Sequence, residues 1–201
     1  MKILVSVFNN LYTDQRVEKF CKTLHENAYQ IEVIGNNWGG NPEMKRPYPF
    51  SRISLQSKKL RFAYLEFQWK LFLVLLKKAD RNTILHANDL DALLPNYLVS
   101  KIKGIPLVWD SHEIFTEMPT VTNRWVQHVW RLLENALIRK IKYFITANDS
   151  YANWFETNYK IKRPIVIRNF PQKSESPRSF VENSPKIILY QGTINYSRGI
   201  D

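Results

Sequence analysis

Hydrophobic positions alternate between two kinds of pattern along residues 1–169. Runs that are apolar on both faces are typical of strands in a covered parallel sheet, and they occur at 3–8, 31–34, 83–86, 107–109, 143–146 and 165–167, with a weaker run at 52–55. Between them, apolar residues recur at helical spacing. The helical faces are Val17, Phe20, Cys21, Leu24 and Ala28; Leu90, Leu93, Leu94, Tyr97 and Leu98; Val126, Val129, Trp130, Leu133 and Leu137; and Ala152, Phe155 and Tyr159. This alternation predicts an α/β fold with a doubly wound, mostly parallel, Rossmann-like sheet.

The composition of the chain changes after Asn169. Residues 170–185 contain three prolines and four serines and little apolar periodicity, which predicts a linker or hinge. The apolar run at 186–190 then predicts a new strand, followed by a polar loop that contains Gly192, as in many phosphate-binding α/β domains. We therefore expect one domain over 1–169 and, over 186–201, the first strand and loop of a second domain, truncated at Asp201; the alternative is that this strand joins the first sheet.

The net charge is +11, from 29 basic and 18 acidic residues. Such a field attracts nucleic acid, an anionic membrane surface or a phosphorylated small molecule, although scattered surface lysines that aid solubility explain it equally well. The densest basic clusters, 58–61 and 139–142, are sparser than a nucleic-acid-binding arm, and no interleaved aromatic and basic pattern is present. We predict no nucleic-acid partner. The single cysteine, Cys21, excludes a disulfide within the chain and favours a reducing, cytoplasmic compartment.

The longest apolar run, 71–76, is far too short to span a bilayer. Its wider context, 60–76, is rich in aromatic residues and has lysines on both flanks. An interfacial helix would have this composition, and so would a buried packing helix. Peripheral contact with the inner face of a membrane therefore stays open.

Polar residues follow strand after strand at the carboxyl ends, where ligands bind in open parallel sheets. They are Asn9 and Asn10; Asn36 and Asn37; His86, Asn88 and Asp89; Asp110, Ser111, His112 and Glu113; Asn148, Asp149 and Ser150; and Asn169. For a single Asn or Asp, capping of the next helix is the simpler explanation. Histidine is not a favoured cap, so His86 and His112 carry the functional prediction.

Metal chemistry is weakly indicated. The Asp-x-Asp pattern of Asp89 and Asp91 opens a predicted helix, where two acids are favourable without a metal. A set of His86, Asp89, His112 and Glu113 contains suitable ligand types, but no other ligand spacing supports it. We predict no metal and no resident cofactor.

Six ordered motifs resemble the N-terminal domain of glycosyltransferase family 4 enzymes of the GT-B fold, particularly bacterial members that build cell-envelope polysaccharide. Each motif is weak alone, and the ordered set is specific. The motifs are NNLYTDQRV at 9–17, ILHAND at 84–89 with Leu94-Pro95, PLVWDSHE at 106–113, IVIRNFP at 165–171, ILYQG at 188–192 and RGID at 198–201.

The resemblance implies two Rossmann-like domains across a cleft, the first holding a glycan or lipid-linked acceptor and the second a nucleotide sugar. It implies transfer of a hexose-like sugar with retention of configuration and usually without a metal. His112 would be catalytic, donating a hydrogen bond to the charge that develops on the leaving group. Gly192 and Arg198 would contact the donor diphosphate. The cleft on the acceptor side would comprise Asn9, Asn10, Asp14, Arg16, His86, Asn88, Asp89, Asp110 and Glu113.

Two features depart from the family pattern. Asn9 and Asn10 occupy the place of paired glycines that many members use to approach the donor. The donor domain and its paired glutamates would lie past Asp201, so we expect this chain alone not to transfer sugar. The alternative is a stand-alone binding module for a sugar or phosphorylated ligand, without catalysis.

Overall fold

A computed structural model describes residues 1–38, 40 and 42–171 of the chain. The chain divides into two units, Met1–Asn169 and Phe170–Asp201, and the architecture given below is that of the first. Most of the linker predicted at 170–185, and the strand and loop predicted at 186–201 with Gly192 and Arg198, lie outside the described residues.

The first unit is built on a seven-stranded sheet in which every pair of neighbours is parallel. The order is β3-β2-β1-β4-β5-β6-β7, which confirms the predicted fold class. The strands are β1 (Lys2–Ser6), β2 (Gln30–Asn36), β3 (Phe50–Ile53), β4 (Thr83–Asn88), β5 (Leu107–Ser111), β6 (Tyr143–Thr146) and β7 (Ile165–Val166). Two bounds matter for the site: β4 and β5 each extend two residues past the predicted end.

Helices connect β1 to β2 and each pair of consecutive strands from β3 to β7, and short 3₁₀ turns at Phe115–Glu117 and Ile138–Lys140 flank one of these helices. The helices are α1 (Gln15–Glu26), α2 (Leu60–Lys78), α3 (Asp89–Lys103), α4 (Trp125–Leu137) and α5 (Asp149–Tyr159). Ala28 lies past the end of α1 with a φ of +62°, so its predicted place on the apolar face was wrong. Leu98 was also wrongly predicted to lie on an apolar face, because it is an exposed residue of α3.

The buried face of α4 differs from the predicted one for a specific reason. Val129 is exposed, while Gln127 and Glu134 are buried. Gln127 donates to the carbonyl of Thr116 at 2.8 Å, and Glu134 accepts from the Thr116 hydroxyl at 3.3 Å. These hydrogen bonds to a distant turn fix the rotation of the helix, and hydrophobic periodicity does not report them.

The two faces of the sheet bury two separate cores. The larger contains residues of α2 and α3 with Trp109, which stacks on Phe144 at 4.3 Å between ring centroids. The smaller lies on the α1 face and contains Val5, Val17 and the buried Cys21. A sheet covered on both faces explains why its strands are apolar runs and not alternating ones.

The helix α2 is apolar on more than one face. Its buried residues, Ala63, Phe67, Leu71 and Leu75, recur every four positions. On another face Leu65 and Trp69 are 67% and 63% exposed. Within the described residues, no helix combines the length and the apolar character that crossing a membrane requires.

Candidate functional site

The candidate site lies at the carboxyl edge of the sheet, at the point where the order of the strands reverses. From β1 the chain proceeds outward to β2 and β3, then returns to β4 on the other side of β1. Such a reversal opens a crevice between the loops that follow the two central strands. Five predicted residues meet at this crevice: Arg16, Asn88, Asp89, Asp110 and His112.

His112 is held by acceptors on both sides of its ring. Nδ1 lies 3.1 Å from a carboxylate oxygen of Asp89. Nε2 lies 3.2 Å from Oδ1 of Asn88 and 3.6 Å from Oδ2 of Asp110. The backbone N–H of His112 also donates to Asp89 at 2.8 Å. Acceptors at both ring nitrogens favour the doubly protonated imidazolium.

The two carboxylates decide the charge of His112. Burial by itself disfavours the imidazolium, but Asp89 and Asp110 outweigh it and raise the pKa of His112 to about 10. The ring is therefore positively charged at neutral pH. Its side chain retains 16% exposure, so the charge is partly accessible.

Arg16 supports Asp110 from the α1 side. Its Nε donates to Oδ2 at 3.2 Å and its Nη2 to Oδ1 at 2.7 Å, a bidentate pair that is almost completely buried. Burial would raise the pKa of Asp110, yet the contacts from His112 and Arg16 lower it to about 2. Nη1 of Arg16 also donates to the carbonyl of Ile167 at 2.7 Å, which joins the site to the end of β7.

Asp89 does not cap α3. It is the first helical residue, Asn88 occupies the cap position, and no side-chain cap hydrogen bond forms there. Its φ is +59°, in the left-handed region that costs a non-glycine residue free energy. In that conformation its carboxylate accepts from both the backbone and the ring of His112. The interaction with His112, and not helix capping, accounts for this residue.

A second group of predicted residues surrounds the start of α1. Asp14 is the N-cap and accepts from the N–H of Val17 at 3.0 Å, while Asn9 donates to its other oxygen at 3.1 Å. Asn10 donates to the carbonyl of Gly40 at 3.2 Å. These side chains order the loop after β1, next to the His112 group.

Close backbone packing fixes the same loop from below. A Cβ on Gly35, in β2, would lie 2.5 Å from Cγ of Leu11 and 2.9 Å from the carbonyl of Asn9. The N–H of Asn36 donates to that carbonyl at 3.2 Å. The loop therefore rests directly on the β2 backbone.

His86 lies two positions before the end of β4, because the strand continues to Asn88. It is 2% exposed and stacks on Phe20 of α1, with 4.5 Å between ring centroids. Burial lowers its pKa to about 4, so the ring is neutral. It is close enough to Asp110 and His112 for their charges to act on its pKa, and direct contact with an acceptor stays a prediction.

The remaining predicted residues lie elsewhere. Glu113 is exposed beside the site, and its carbonyl accepts from the Ser111 hydroxyl at 2.8 Å. Gly192 and Arg198 lie outside the described residues. Across the part of the chain that the structure describes, no group of three or more His, Cys, Asp or Glu side chains is arranged to hold a metal ion.

Two buried residues behind the site were not predicted. Ser6 accepts from Asn88 through its carbonyl at 3.1 Å and from Asn96 through its hydroxyl at 2.6 Å. Asp91, which sequence reasoning assigned to the first turn of a helix, is buried, and burial raises its pKa well above the ordinary value. A strand end placed at Ser6 instead of Phe8 would have brought Ser6 into the predicted set.

Two solved structures of one enzyme and one of a rice protein share this fold. A chain of sucrose-phosphate synthase from Thermosynechococcus elongatus has a TM-score of 0.57 and 10% identity, with 84% of this chain and 87% of that chain covered. A second structure of that enzyme gives 0.58 and 10%, with 83% and 47% covered. Os79 from O. sativa in complex with UDP gives 0.55 and 11%, with 81% and 51% covered. The chain thus spans about half the length of the last two, and identities this low show the fold alone.

No curated protein sequence matches the chain. The model of one family does match, over residues 14–170, and its description is Glycosyltransferase Family 4. The matched range contains α1 with Arg16, the ends of β4 and β5 with His112, and β7. On this match over most of its length, the chain belongs to Glycosyltransferase Family 4.

Proposed function

We propose that the chain forms the acceptor side of a retaining glycosyltransferase that uses a nucleotide sugar, and that transfer requires a donor domain in addition. The observation that carries the proposal is the imidazolium of His112, held between Asp89 and Asp110 at the carboxyl edge of the sheet. Family membership and the resemblance of the motif at 110–113 support it.

In this proposal His112 contributes a fixed positive charge. Departure of a nucleoside diphosphate places negative charge on the leaving oxygen, and a charge already oriented in a partly buried site stabilises it without reorganisation. Both ring N–H groups already contact side chains of this chain. A direct hydrogen bond to the leaving group would therefore require Asn88 to release Nε2.

Asp89, Asp110 and Arg16 hold that charge in position. The pairs are His112 with Asp89 and Arg16 with Asp110, and each contains one positive and one negative charge. The four side chains together are therefore neutral and tolerate partial burial. Asn9, Asn10 and Asp14 order the neighbouring loop, which we propose faces the acceptor. No metal and no resident cofactor are part of the proposal.

We further propose a lipid-linked acceptor and peripheral contact with the inner, cytoplasmic face of a membrane. The support is a patch that we call the α2 patch, formed by Leu65, Trp69 and Phe72 of α2 with Leu94 and Leu98 of α3. Basic residues lie at both ends of α2, at 58–61 and at Lys77 and Lys78. Exposed apolar residues flanked by cations suit an anionic bilayer surface.

A transfer assay tests the function. The chain, alone and mixed with the separately produced C-terminal domain of a family member, is incubated with a panel of sugar-labelled nucleotide sugars and with lipid and glycan extracts. We expect label in product only in the mixture, with the anomeric configuration of the donor by NMR. His112→Gln should abolish incorporation, whereas His128→Gln, an exposed histidine on α4, should not.

Two results would contradict the proposal. Incorporation that survives His112→Gln would remove the assigned role of the imidazolium. Saturable binding of sugar or phosphate ligands with no transfer to any acceptor in any mixture would favour the stand-alone binding module.

Membrane contact is tested separately by vesicle flotation. Leu65→Ser/Trp69→Ser should release the chain from vesicles that contain phosphatidylglycerol. Leu132→Ser/Trp125→Ser, which changes equally exposed residues of α4, is the matched control. Equal loss in both variants would contradict a specific surface.

A further inference from the structure

A cavity of ≈ 640 Å³ opens at the amino edge of the sheet, at the starts of β6 and β7. The candidate glycosyltransferase site lies at the carboxyl edge, on the order of 10 Å away along the four residues of β6. Neither the family match nor the proposed reaction assigns this cavity a role.

Two basic segments line the cavity. The 3₁₀ turn before β6 contributes Arg139, the residues between that turn and β6 contribute Lys142, and the connection from α5 to β7 contributes Lys160, Lys162 and Arg163. No acidic side chain lines it within the described residues. Cations that converge on one cavity from two segments create a positive potential that attracts anions.

Most of this charge has no counter-charge among the residues that the structure describes. Arg163 pairs with Asp149 at 3.1 Å and with Glu156 at 3.5 Å. For the other four cations, no described carboxylate lies within ion-pair distance. Arg139 instead donates to the carbonyl of Tyr159 at 3.2 Å, and Lys142 lies over the ring of Tyr143 at 5.1 Å.

One of these cations occupies a strained backbone position. Lys160 ends α5 with a φ of +52°, where helices commonly have glycine because a side chain costs free energy. The chain therefore has a lysine in the lining of the cavity at a position where the backbone conformation favours glycine.

The cavity also has an apolar part to its lining, which we call the apolar floor. Ile141, Ile161, Pro164 and Ile165 line it together with Tyr143, and Ile165 and Tyr143 are exposed. Unneutralised cations around an apolar floor match a ligand that carries a phosphate on an apolar body. We propose that this cavity binds such a ligand, supplied either by an anionic lipid headgroup or by a soluble organic phosphate.

The test uses the full chain with Leu65→Ser/Trp69→Ser, so that the α2 patch does not contribute to vesicle binding. The pocket variant adds Lys142→Gln/Lys162→Gln, and the matched control adds Lys45→Gln/Lys103→Gln, which removes equal charge from exposed positions elsewhere. The probes are phenyl phosphate and inorganic phosphate by calorimetry, and vesicles of phosphatidylcholine with or without phosphatidylglycerol.

We expect the pocket variant to bind about 25-fold more weakly than the control, from about fivefold for each of its two lysines near an anionic surface. Saturable binding of phenyl phosphate that the pocket variant loses identifies a soluble phosphate as the source. Loss confined to phosphatidylglycerol vesicles identifies the lipid headgroup. A pocket variant that matches its control with every probe overturns the proposal, and phenyl phosphate that binds no tighter than inorganic phosphate overturns the role of the apolar floor.

The variant Lys160→Gly separates loss of binding from loss of stability. Glycine accepts the left-handed conformation without strain, so we expect this variant to be at least as stable as the parent in urea. We still expect it to bind about fivefold more weakly to whichever probe the parent binds, phenyl phosphate or phosphatidylglycerol vesicles. Undiminished binding would exclude Lys160 from the site.

Discussion

Arg16 and Asp110 are joined by two hydrogen bonds, of 3.2 Å and 2.7 Å, although one belongs to α1 and the other to β5. Asp110 in turn lies 3.6 Å from Nε2 of His112. Because Arg16 also contacts the carbonyl of Ile167, one side chain connects α1, the strand β5 and the residue that follows β7. Arg16 thus contributes to the position of the His112 ring through Asp110.

Breaking this pair should cost more stability than breaking a surface pair. Asp110→Asn leaves the Arg16 guanidinium buried without its counter-charge, and we expect the free energy of unfolding to fall by about 3–5 kcal/mol. Arg163→Gln, which breaks exposed pairs with Asp149 and Glu156, should cost less than about 1 kcal/mol. Urea unfolding measures both. Equal costs would mean that the buried pair has no special role.

The charge on His112 should make stability depend on pH in the alkaline range. Its pKa of about 10 in the folded protein lies above the ordinary 6.5, so its contribution is complete below pH 6.5 and is lost as the pH rises through 10. We expect the free energy of unfolding, measured in urea, to fall between pH 7 and 9.5. The fall should be smaller in the His112→Gln variant. An NMR titration in which the His112 ring deprotonates between pH 6 and 7 would contradict this.

Glu134 should act in the same direction as His112, at lower pH. It is fully buried beside Thr116 and Tyr159, and burial raises its pKa from 4.5 to about 6. The folded state therefore binds the proton more tightly, and stability should fall by about 2 kcal/mol as the pH rises through this range. Glu134→Gln should remove that decrease. Glu26→Gln, at the exposed end of α1, is the control and should preserve it.

The sheet could be predicted from sequence because most of its strands, covered on both faces, are largely apolar runs such as 3–8 or 143–146; the edge strand β3, with Ser51 and Arg52, gave only a weak signal. Asp110 and His112 could be predicted because they follow such a run. The depth of His86 could not, since the apolar pattern does not show that β4 continues through Ala87 to Asn88.

Long-range polar contacts were equally hidden. The buried Glu134 looks like a solvent-exposed helix residue until Thr116 and Tyr159, from a turn and from α5, come to lie beside it. The left-handed φ of Asp89 follows from its contact with His112, a residue of another strand end. Pairings of this kind arise from the tertiary fold, and one sequence alone carries no direct record of them.

Gly35 offers a test of how the loop after β1 is held. A Cβ there would lie 2.5 Å from Cγ of Leu11 and 2.9 Å from the carbonyl of Asn9, closer than atoms can approach without displacement. We expect Gly35→Ala to lower the free energy of unfolding by about 1–3 kcal/mol, as overpacking commonly does. If Leu11 is the main obstacle, Leu11→Ala should cost less in the Gly35→Ala background than in the parent, because the clash it relieves offsets the buried surface it loses. Strictly additive costs in urea unfolding would instead identify the Asn9 carbonyl as the obstacle, and a neutral Gly35→Ala would show that the loop does not rest on β2.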